Sequence, residues 1–558
     1  MLLPDGELQQ LLMQTRIIDT QAIQNLLEFA KNSQVSLEEA IIEKDVFPEE
    51  KLGQLVANYL KVPYVSLAKI TIPEEVFKIV PERIARKYHM IAFAKDADGV
   101  KLAMENPRDT YMQQMVAKKT GARVIAYLAT GREISNTLQV YGKDLQSVFS
   151  DFIQQENPVV LQEDAPVSKI VDMLITYAYQ DKASDIHIEP EEQELLVRFR
   201  IDGILHDVLH LNKALADRVI TRIKVLSRLR TDEHLSAQDG KMRLQLEEEN
   251  LDIRVSILPI AEGEKVVLRL LSSKSRQLSL VDLGMNENDL KKITSAVNKS
   301  YGMILSTGPT GSGKSTSIYS ILKILNTREK NITTIEDPVE YRIKGVNQIQ
   351  VNVKTNLTFA NGLRSILRQD PNVIFVGEIR DSETAGIAVN AALTGHLVLS
   401  TLHTNDAATT LPRLIDMKVE PFLVASTVNV IIAQRLVRKI CEVCKVQTTA
   451  LMSEVSKHIP EDFLLKHFGN VATMVIFKGR GCKVCHMTGY VGRIGVFEVL
   501  EISEKVRSLI TNKEDSDVIG REAIQEGMTT MLDDGLDKVK KGWTTIEEVL
   551  RVTKVESV

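Results

Sequence analysis

The chain lacks the marks of several large classes of protein. No stretch of its 558 residues approaches eighteen uninterrupted apolar residues, so no helical membrane span is expected. Its first residues, MLLPDGELQQLLMQ, carry acidic side chains where a secretory signal carries positive ones, which points to the cytoplasm. Aromatic residues make up 5%, with a single tryptophan, and the net charge at pH 7 is −5. A protein that threads nucleic acid presents basic, aromatic-bearing loops, so nucleic acid is not the expected partner. Cysteine is scarce as well: four residues, all in two C-x-x-C pairs. In a cytoplasmic protein that pattern argues for a metal before a disulfide.

What is present is ordinary in bulk, 44% hydrophobic and 26% charged, and long enough for three or four domains. Residues 1–66 read as two helical units with apolar residues spaced at three and four. Leu8, Leu12 and Met13 of the first match Leu37, Ile41 and Ile42 of the second, as in an internal duplication. Residues 67–140 alternate helix-like and strand-like pieces, a small α/β module, and the polar, acidic stretch 141–166 reads as a linker. A second module opens at Val167: a helix-like segment, SDIHIEP, the strands LLVRFRIDGILHDVLHL, a basic helix, a turn at QDGK, and the strands NLDIRVSILPI and EKVVLRLL. Four continuous apolar runs follow, MILST, NITTIE, NVIFVGE and HLVLSTLH, as a parallel sheet buried on both faces requires. From about Leu411 the remainder reads as mostly helical.

The organising stretch is Gly308-Pro309-Thr310-Gly311-Ser312-Gly313-Lys314-Ser315-Thr316, between MILST and a helix-compatible run. It is G-x-x-x-x-G-K-[ST] in a strand–loop–helix setting, the pattern that cradles a nucleoside triphosphate. The glycines let the loop point successive N–H groups at one anion, and the following helix adds the positive end of its dipole. Lys314 is the expected partner of the β/γ-phosphates and Ser315 of Mg²⁺.

Three further constellations accompany the loop. PNVIFVGEIRD ends an apolar strand in Glu378, a carboxylate about sixty residues downstream that suits the Mg²⁺ or its waters. ITTIEDPVEY places Glu336 and Asp337 at a strand end before Pro338, at the edge where a parallel sheet binds nucleotides. One of the two is a candidate general base for the attacking water, although Asp337 fits equally as a helix-capping residue of an ordinary loop. In GHLVLSTLHTNDA, His396 and His403 flank a strand with Thr401 and Thr404 nearby. A lone histidine is more often a rim residue; two beside the nucleotide suggest a γ-phosphate sensor. Cys441/Cys444 and Cys482/Cys485 supply four thiolates for a tetrahedral Zn²⁺ site, with Lys445, Lys478, Arg480 and Lys483 offsetting its charge. Redox or free buried thiols are the alternatives, but a redox motif would need no second pair.

In that order GPTGSGKST, ITTIEDPVEY, NVIFVGEIRD and TGHLVLSTLHTNDA resemble the four signature boxes of the secretion/pilus ATPase superfamily, and ASDIHIEP, RFRIDGIL, QDGK and GEKVVLRLL resemble the domain before its core. The tetracysteine element and the ending REAIQEGMTTMLDDGLDKVKKGWTTIEEVLRVT are similar to the assembly branch, type IV pilus extension ATPases (PilB type) first and type II secretion ATPases (GspE type) second. The resemblance covers 167–558 strongly and 1–140 weakly. It implies an α/β fold: a P-loop RecA-like core at 273–558 with a zinc-bearing helical C-terminal region, an α+β (PAS-like) domain at 167–272, and a helical/α+β docking domain at 1–140.

The resemblance further implies ATP, Mg²⁺ and Zn²⁺ as cofactors, arginine-finger roles for Arg254 and Arg269 when the 167–272 domain closes over the core, and a homo-hexamer. The ring would drive pilin assembly from the cytoplasm through an inner-membrane platform protein (PilC/GspF type), with other machinery reached through the N-terminal domain. Two departures stand out. Gln238-Asp239-Gly240-Lys241 replaces the family's QDGR, and the RLGxxLVxxG pattern of cyclic di-GMP binding is missing. Glu7, Gln9 and Arg16, then Ser36, Glu38 and Asp45, occupy its positions, so 1–140 is read as a protein-docking element without cyclic di-GMP.

Overall fold

A computed structural model describes residues 3–553 except 16, 34–35, 44–45, 48, 68–69, 71, 139–163, 247–249 and 272–277. Arg16, Asp45 and the expected linker up to position 163 therefore lie outside the described residues. The chain forms two compact units, residues 1–62 with 278–558, and residues 63–277.

The first unit begins with the helices Asp5–Thr15, Thr20–Ser33, Leu37–Glu43 and Glu49–Leu60. Leu8, Leu12, Leu37 and Ile41 are buried, so the repeated apolar spacing of the sequence becomes one inward stripe per helix. Met13, a third matched position, stays 40% exposed. Asp5 ties the start of the first helix to that of the third by accepting from Leu37 N at 2.9 Å.

In the second unit β1 (Met90–Asp96) and β2 (Gly99–Met104) form an antiparallel hairpin, and β3 (Val124–Leu128) joins β2 in parallel. A parallel pair needs a crossover, supplied here by helix Thr110–Thr120, capped by Asp109 and ended by Gly121. Helix Asp164–Gln180 then leads into six antiparallel strands. These are β4 (Asp185–Pro190), β5 (Glu194–Ile201), β6 (Ile204–Asn212), β7 (Gln238–Gln245), β8 (Asn250–Ile260) and β9 (Gly263–Leu271). Their order is β6-β5-β4-β9-β8-β7. Helices 164–180 and Ala216–Leu226 bury Ile170, Leu174, Val219 and Ile223 with Ile186, Ile188, Val255 and Val266 of the strands. The opposite face carries the alternate residues Asp185, His187 and Glu189 of β4. QDGK is not a turn but the start of β7, paired with β8 from Gln238↔Ile257 onward. Its glycine serves close packing: a Cβ on Gly240 would lie 2.9 Å from the Leu229 side chain and 3.0 Å from Ser227 O.

The core sheet contains β10 (Gly302–Thr307), β11 (Ile332–Glu336), β12 (Asn347–Gln350), β13 (Val373–Val376), β14 (Leu397–Leu402) and β15 (Val428–Ile440). A ribbon of β16 (Lys445–Leu451) and β17 (Thr473–Gly479) follows, and β18 (Tyr490–Glu501) returns to the core sheet. The order is β12-β11-β13-β14-β10-β15-β18, parallel except for the antiparallel last strand. Met303 and Leu305 face one apolar core and Ile304 the other, which is why the run MILST is apolar throughout. The four apolar runs of the sequence are the sheet's centre. The region after Leu411, expected to be mostly helical, also contributes its two longest strands, 13 residues in β15 and 12 in β18. Apolar runs of that length suit either state; the open edge of β10 decides for strand.

Candidate functional site

β10 ends at Thr307 and the chain turns through Gly308, Gly311 and Gly313 at φ +145°, +79° and +91° into helix Lys314–Leu325. These left-handed values are open to glycine at little cost, and Gly313 caps the helix. Lys314 is 9% exposed, and its Nζ donates to Gly308 O at 2.7 Å and Pro309 O at 3.1 Å. Burial pushes its ammonium down to about 8, against the pull of Glu378 and with a further push from Arg435. Ser315 is exposed at the start of the helix. A loop of this form, a cation and a helix N-terminus together make a cradle for phosphate.

Beside Lys314 stands Glu378, two residues beyond the end of β13 rather than on it. Its carboxylate meets Arg380 Nε at 2.7 Å and His403 Nε2 at 3.5 Å. Burial lowers the His403 imidazole, Lys314 lowers it further, and Glu378 acts in opposition. The two histidines are not brought together. His403 follows the end of β14 beside the loop, whereas His396 precedes its first residue and bonds Ala391 O through Nδ1 at 2.9 Å. Six strand residues lie between them, about 20 Å of extended chain. Thr404 contacts the last residue of β10 instead: its N–H donates to Thr307 Oγ1 at 2.9 Å. Thr401 Oγ1 donates to Gly377 O at 2.7 Å, joining β14 to the Glu378 turn.

Glu336, the last residue of β11, is 3% exposed. It accepts from Thr334 Oγ1 at 2.6 Å, from Gln348 Nε2 at 3.2 Å, and from the hydroxyl of Tyr319 on the helix that starts at Lys314. Burial raises its carboxyl against these donors. Burial and the adjacent Glu336 likewise raise the Tyr319 phenol. Asp337 is exposed.

Arg254 and Arg269 are directly opposed on β8 and β9 of the second unit. Arg269 Nε donates to Asp185 Oδ1 at 2.9 Å, and Arg200 Nε lies 3.6 Å from the other oxygen. Next along β4, Glu189 is held by Arg198 at 2.6 Å and Lys265 at 2.5 Å.

Two residues of the core escaped the sequence reading. Gln434 on β15 bonds the phosphate loop directly, donating through Nε2 to Ser312 O at 2.7 Å and accepting from Ser317 Oγ at 2.7 Å. Its neighbour Arg435 donates to Asn405 O at 3.0 Å, in the segment after His403. No local motif marks either of them. Their position beside the loop follows from the β10–β15 register.

The four cysteines converge, with all four Sγ atoms within 4.8 Å of one another. Cys441–Cys482 and Cys444–Cys485 are 3.8 Å apart and Cys482–Cys485 3.6 Å, with no disulfide among them. A tetrahedron with zinc–sulfur bonds of about 2.3 Å has edges of about 3.8 Å, so the donor set fits zinc. Burial raises the Cys441 thiol; at Cys485 burial acts the same way but is outweighed by the N–H groups of Cys482 and Gly489, at 3.1 and 3.2 Å from Sγ. Lys445 turns to Glu442 at 3.3 Å.

The family model described as type II/IV secretion system protein matches residues 160–551, and the one described as MshEN domain matches residues 60–147. Type II secretion system protein E of Pseudomonas aeruginosa is 46% identical over 413 residues, 74% of this chain and 80% of that protein. The type IV pilus assembly ATPase PilB of Myxococcus xanthus is 35% identical over 563 residues, 98% of each. Among solved structures, the ATPase DotB of Legionella pneumophila is 22% identical with a TM-score of 0.50, covering 69% of this chain and 95% of that one, a likeness of fold.

Proposed function

We propose, for a chain that belongs to the type II/IV secretion system protein family, that it hydrolyses ATP to power assembly of a type IV pilus. That it is a motor ATPase of the pilus and secretion systems comes with the family. The pilus assignment rests on the end-to-end similarity to the Myxococcus xanthus protein, 98% of each chain, where similarity to the Pseudomonas aeruginosa protein covers 74% of this one. The alternative, a type II secretion ATPase driving a pseudopilus, draws on the higher identity of the latter, 46% against 35%. Deleting the gene in its host separates them. Lost surface pili with normal exoprotein release supports the first reading; the reverse result supports the second.

In this reading Lys314 and the N–H groups of 308–316 hold the phosphates, and Ser315 and Glu378 hold Mg²⁺, which when bound neutralises phosphate charge. The exposed hydroxyl of Ser315 at the helix start and the Glu378 carboxylate near Lys314 suit that ion. Glu336 is the proposed base, and reaching an attacking water requires release from Tyr319. His403 alone takes the sensing role, since His396 stands at the far end of β14. Arg254 and Arg269 supply guanidinium charge to the transition state.

Cys441, Cys444, Cys482 and Cys485 hold one zinc ion. Elemental analysis of the reduced protein should find about one per chain, and Cys482→Ser should lose it; metal-free wild-type protein would overturn the assignment. The domains at 1–140, 167–272 and 273–558, the hexamer, the cytoplasmic site of action, the platform partner and a docking role for 1–140 without cyclic di-GMP complete the proposal. Among the described residues no helix is long and apolar enough to cross a membrane, which suits attachment through partners.

A further inference from the structure

The register of β15 against β10 sets one side chain over the phosphate loop. The two strands pair in parallel up to Thr307↔Ala433, where β10 stops and the loop begins. β15 continues to Ile440, so Gln434 is its first residue level with the loop. Its side chain is 1% exposed. Ser312 O can only accept, so the 2.7 Å bond to it comes from the amide nitrogen, and Oε1 is left to accept from Ser317 Oγ at 2.7 Å. Both ends of the carboxamide are thus spent on the loop and the first turn of its helix.

Two glycines admit this approach. A Cβ on Gly308 would lie 2.6 Å from Gln434 O, and one on Gly313 would lie 2.7 Å from Gln434 Nε2. Besides freeing the backbone, these glycines therefore make room for β15.

We propose that Gln434 is a positioning residue for nucleotide binding, fixing the Ser312–Gly313 peptide so that the Gly313 N–H is aimed at phosphate before the ligand arrives. The reason is the planarity of the peptide unit. Its C=O and N–H point in opposite directions, so a carbonyl held against Gln434 directs the N–H to the other side of the chain. At Gly313, with φ at +91°, no Cβ resists rotation of that unit, and the Gln434 bond is what opposes it. Without the bond the loop samples orientations in which this donor is misdirected, and the ligand must select the competent fraction. Apparent affinity falls by that fraction, while the bound state, once formed, is the wild-type one.

The inference rests on the reading of 308–316 as the phosphate loop, so Lys314→Ala is run beside it. Binding of magnesium–ADP by titration calorimetry and the kinetics of ATP hydrolysis are measured on the full chain. Gln434→Ala and the near-isosteric Gln434→Glu, which loses the donor but keeps the volume, should each raise Kd and KM about tenfold or more. Saturating kcat should remain within about threefold, and zinc content should be unchanged. Wild-type Kd in either variant, or a fallen kcat with unchanged KM, overturns the proposal. If Lys314→Ala also binds magnesium–ADP normally, the loop reading itself falls. Hydrogen exchange in the unsubstituted protein is independent of any variant's folding. The Ser312 and Ser317 amides, which donate to Pro309 O at 3.3 Å and Gly313 O at 3.1 Å, should exchange slowly before nucleotide is added, and rapid exchange at both overturns the proposal too.

Discussion

On the outer face of the six-stranded sheet Asp185 meets Arg269 and Arg200 and Glu189 meets Arg198 and Lys265, while on the helix-covered face Glu264 meets Lys224 at 2.8 Å. In the core, where Asp534 pairs with Lys538 and Glu548 with Arg438 in the same way, three other buried charges have neutral partners. Lys314 bonds two carbonyls, Glu336 a phenol, a hydroxyl and an amide, and Glu498 of β18 the N–H of Ala407 at 2.9 Å. Burial accordingly pushes Lys314 down to about 8 and Glu498 up to about 7. The contrast shows two uses of a buried charge. Paired with cations, a carboxylate stays ionised and holds guanidinium groups in place. Paired with dipoles, a charge stays under-compensated, and at the phosphate loop that makes an incoming anion the best partner available.

The contrast breaks first at its centre. Lys314→Ala should abolish ATP turnover by the purified protein, and a wild-type rate would remove the loop from the account. Next in size, Arg254→Ala and Arg269→Ala should each cut kcat about 10³-fold while magnesium–ADP affinity changes by less than about threefold. Normal hydrolysis in both would leave the paired arginines a purely structural role.

A smaller effect follows from the depressed lysine. In the free protein Lys314 loses its proton above about pH 8, whereas bound phosphates favour the charged form. Affinity for magnesium–ADP should be flat below pH 8 and then weaken towards tenfold per pH unit. A flat profile to pH 9.5 would show that Lys314 is already fully compensated.

Stability measurements test the same contrast with opposite signs. Cations hold Glu189 below the usual carboxylate range against the effect of burial, so its contribution is present at neutral pH and lost as pH falls through that lowered range. Glu189→Gln should destabilise the 63–277 unit by about 2 kcal/mol at pH 7 in calorimetry, with the gap closing in acid. Glu498 is raised instead, so its penalty grows between about pH 4.5 and 7 and is constant above. Glu498→Gln should therefore stabilise the core by about 1–2 kcal/mol at pH 8 and by nearly nothing at pH 4.5. Destabilisation at pH 8 would mean that the carboxylate is compensated after all.

Local and spaced patterns carried much of this molecule into view. GPTGSGKST specifies its own turn because glycine geometry and a helix start are properties of consecutive residues. The runs MILST and NVIFVGE read as central strands because burial on both faces needs continuous apolarity. Two C-x-x-C pairs announce a four-sulfur centre because each knuckle places two thiols by itself. QDGK misled, because its glycine answers to the Leu229 side chain rather than to a turn. The stretch after Leu411 misled because VNVIIAQRLVRKI suits a helix as well as a strand until β10 offers an edge.

Residue order alone specified the ATPase family, the parallel centre of the sheet and the four thiols that gather, all properties of neighbours or of short, regular spacings. That Gln434 bonds a loop more than a hundred residues earlier, that His403 joins Glu378 while His396 does not, and that Glu336 accepts from Tyr319 becomes visible in three dimensions alone. Those outcomes depend on which strand lies beside which and at what register, and no local periodicity records a partner so distant in the chain.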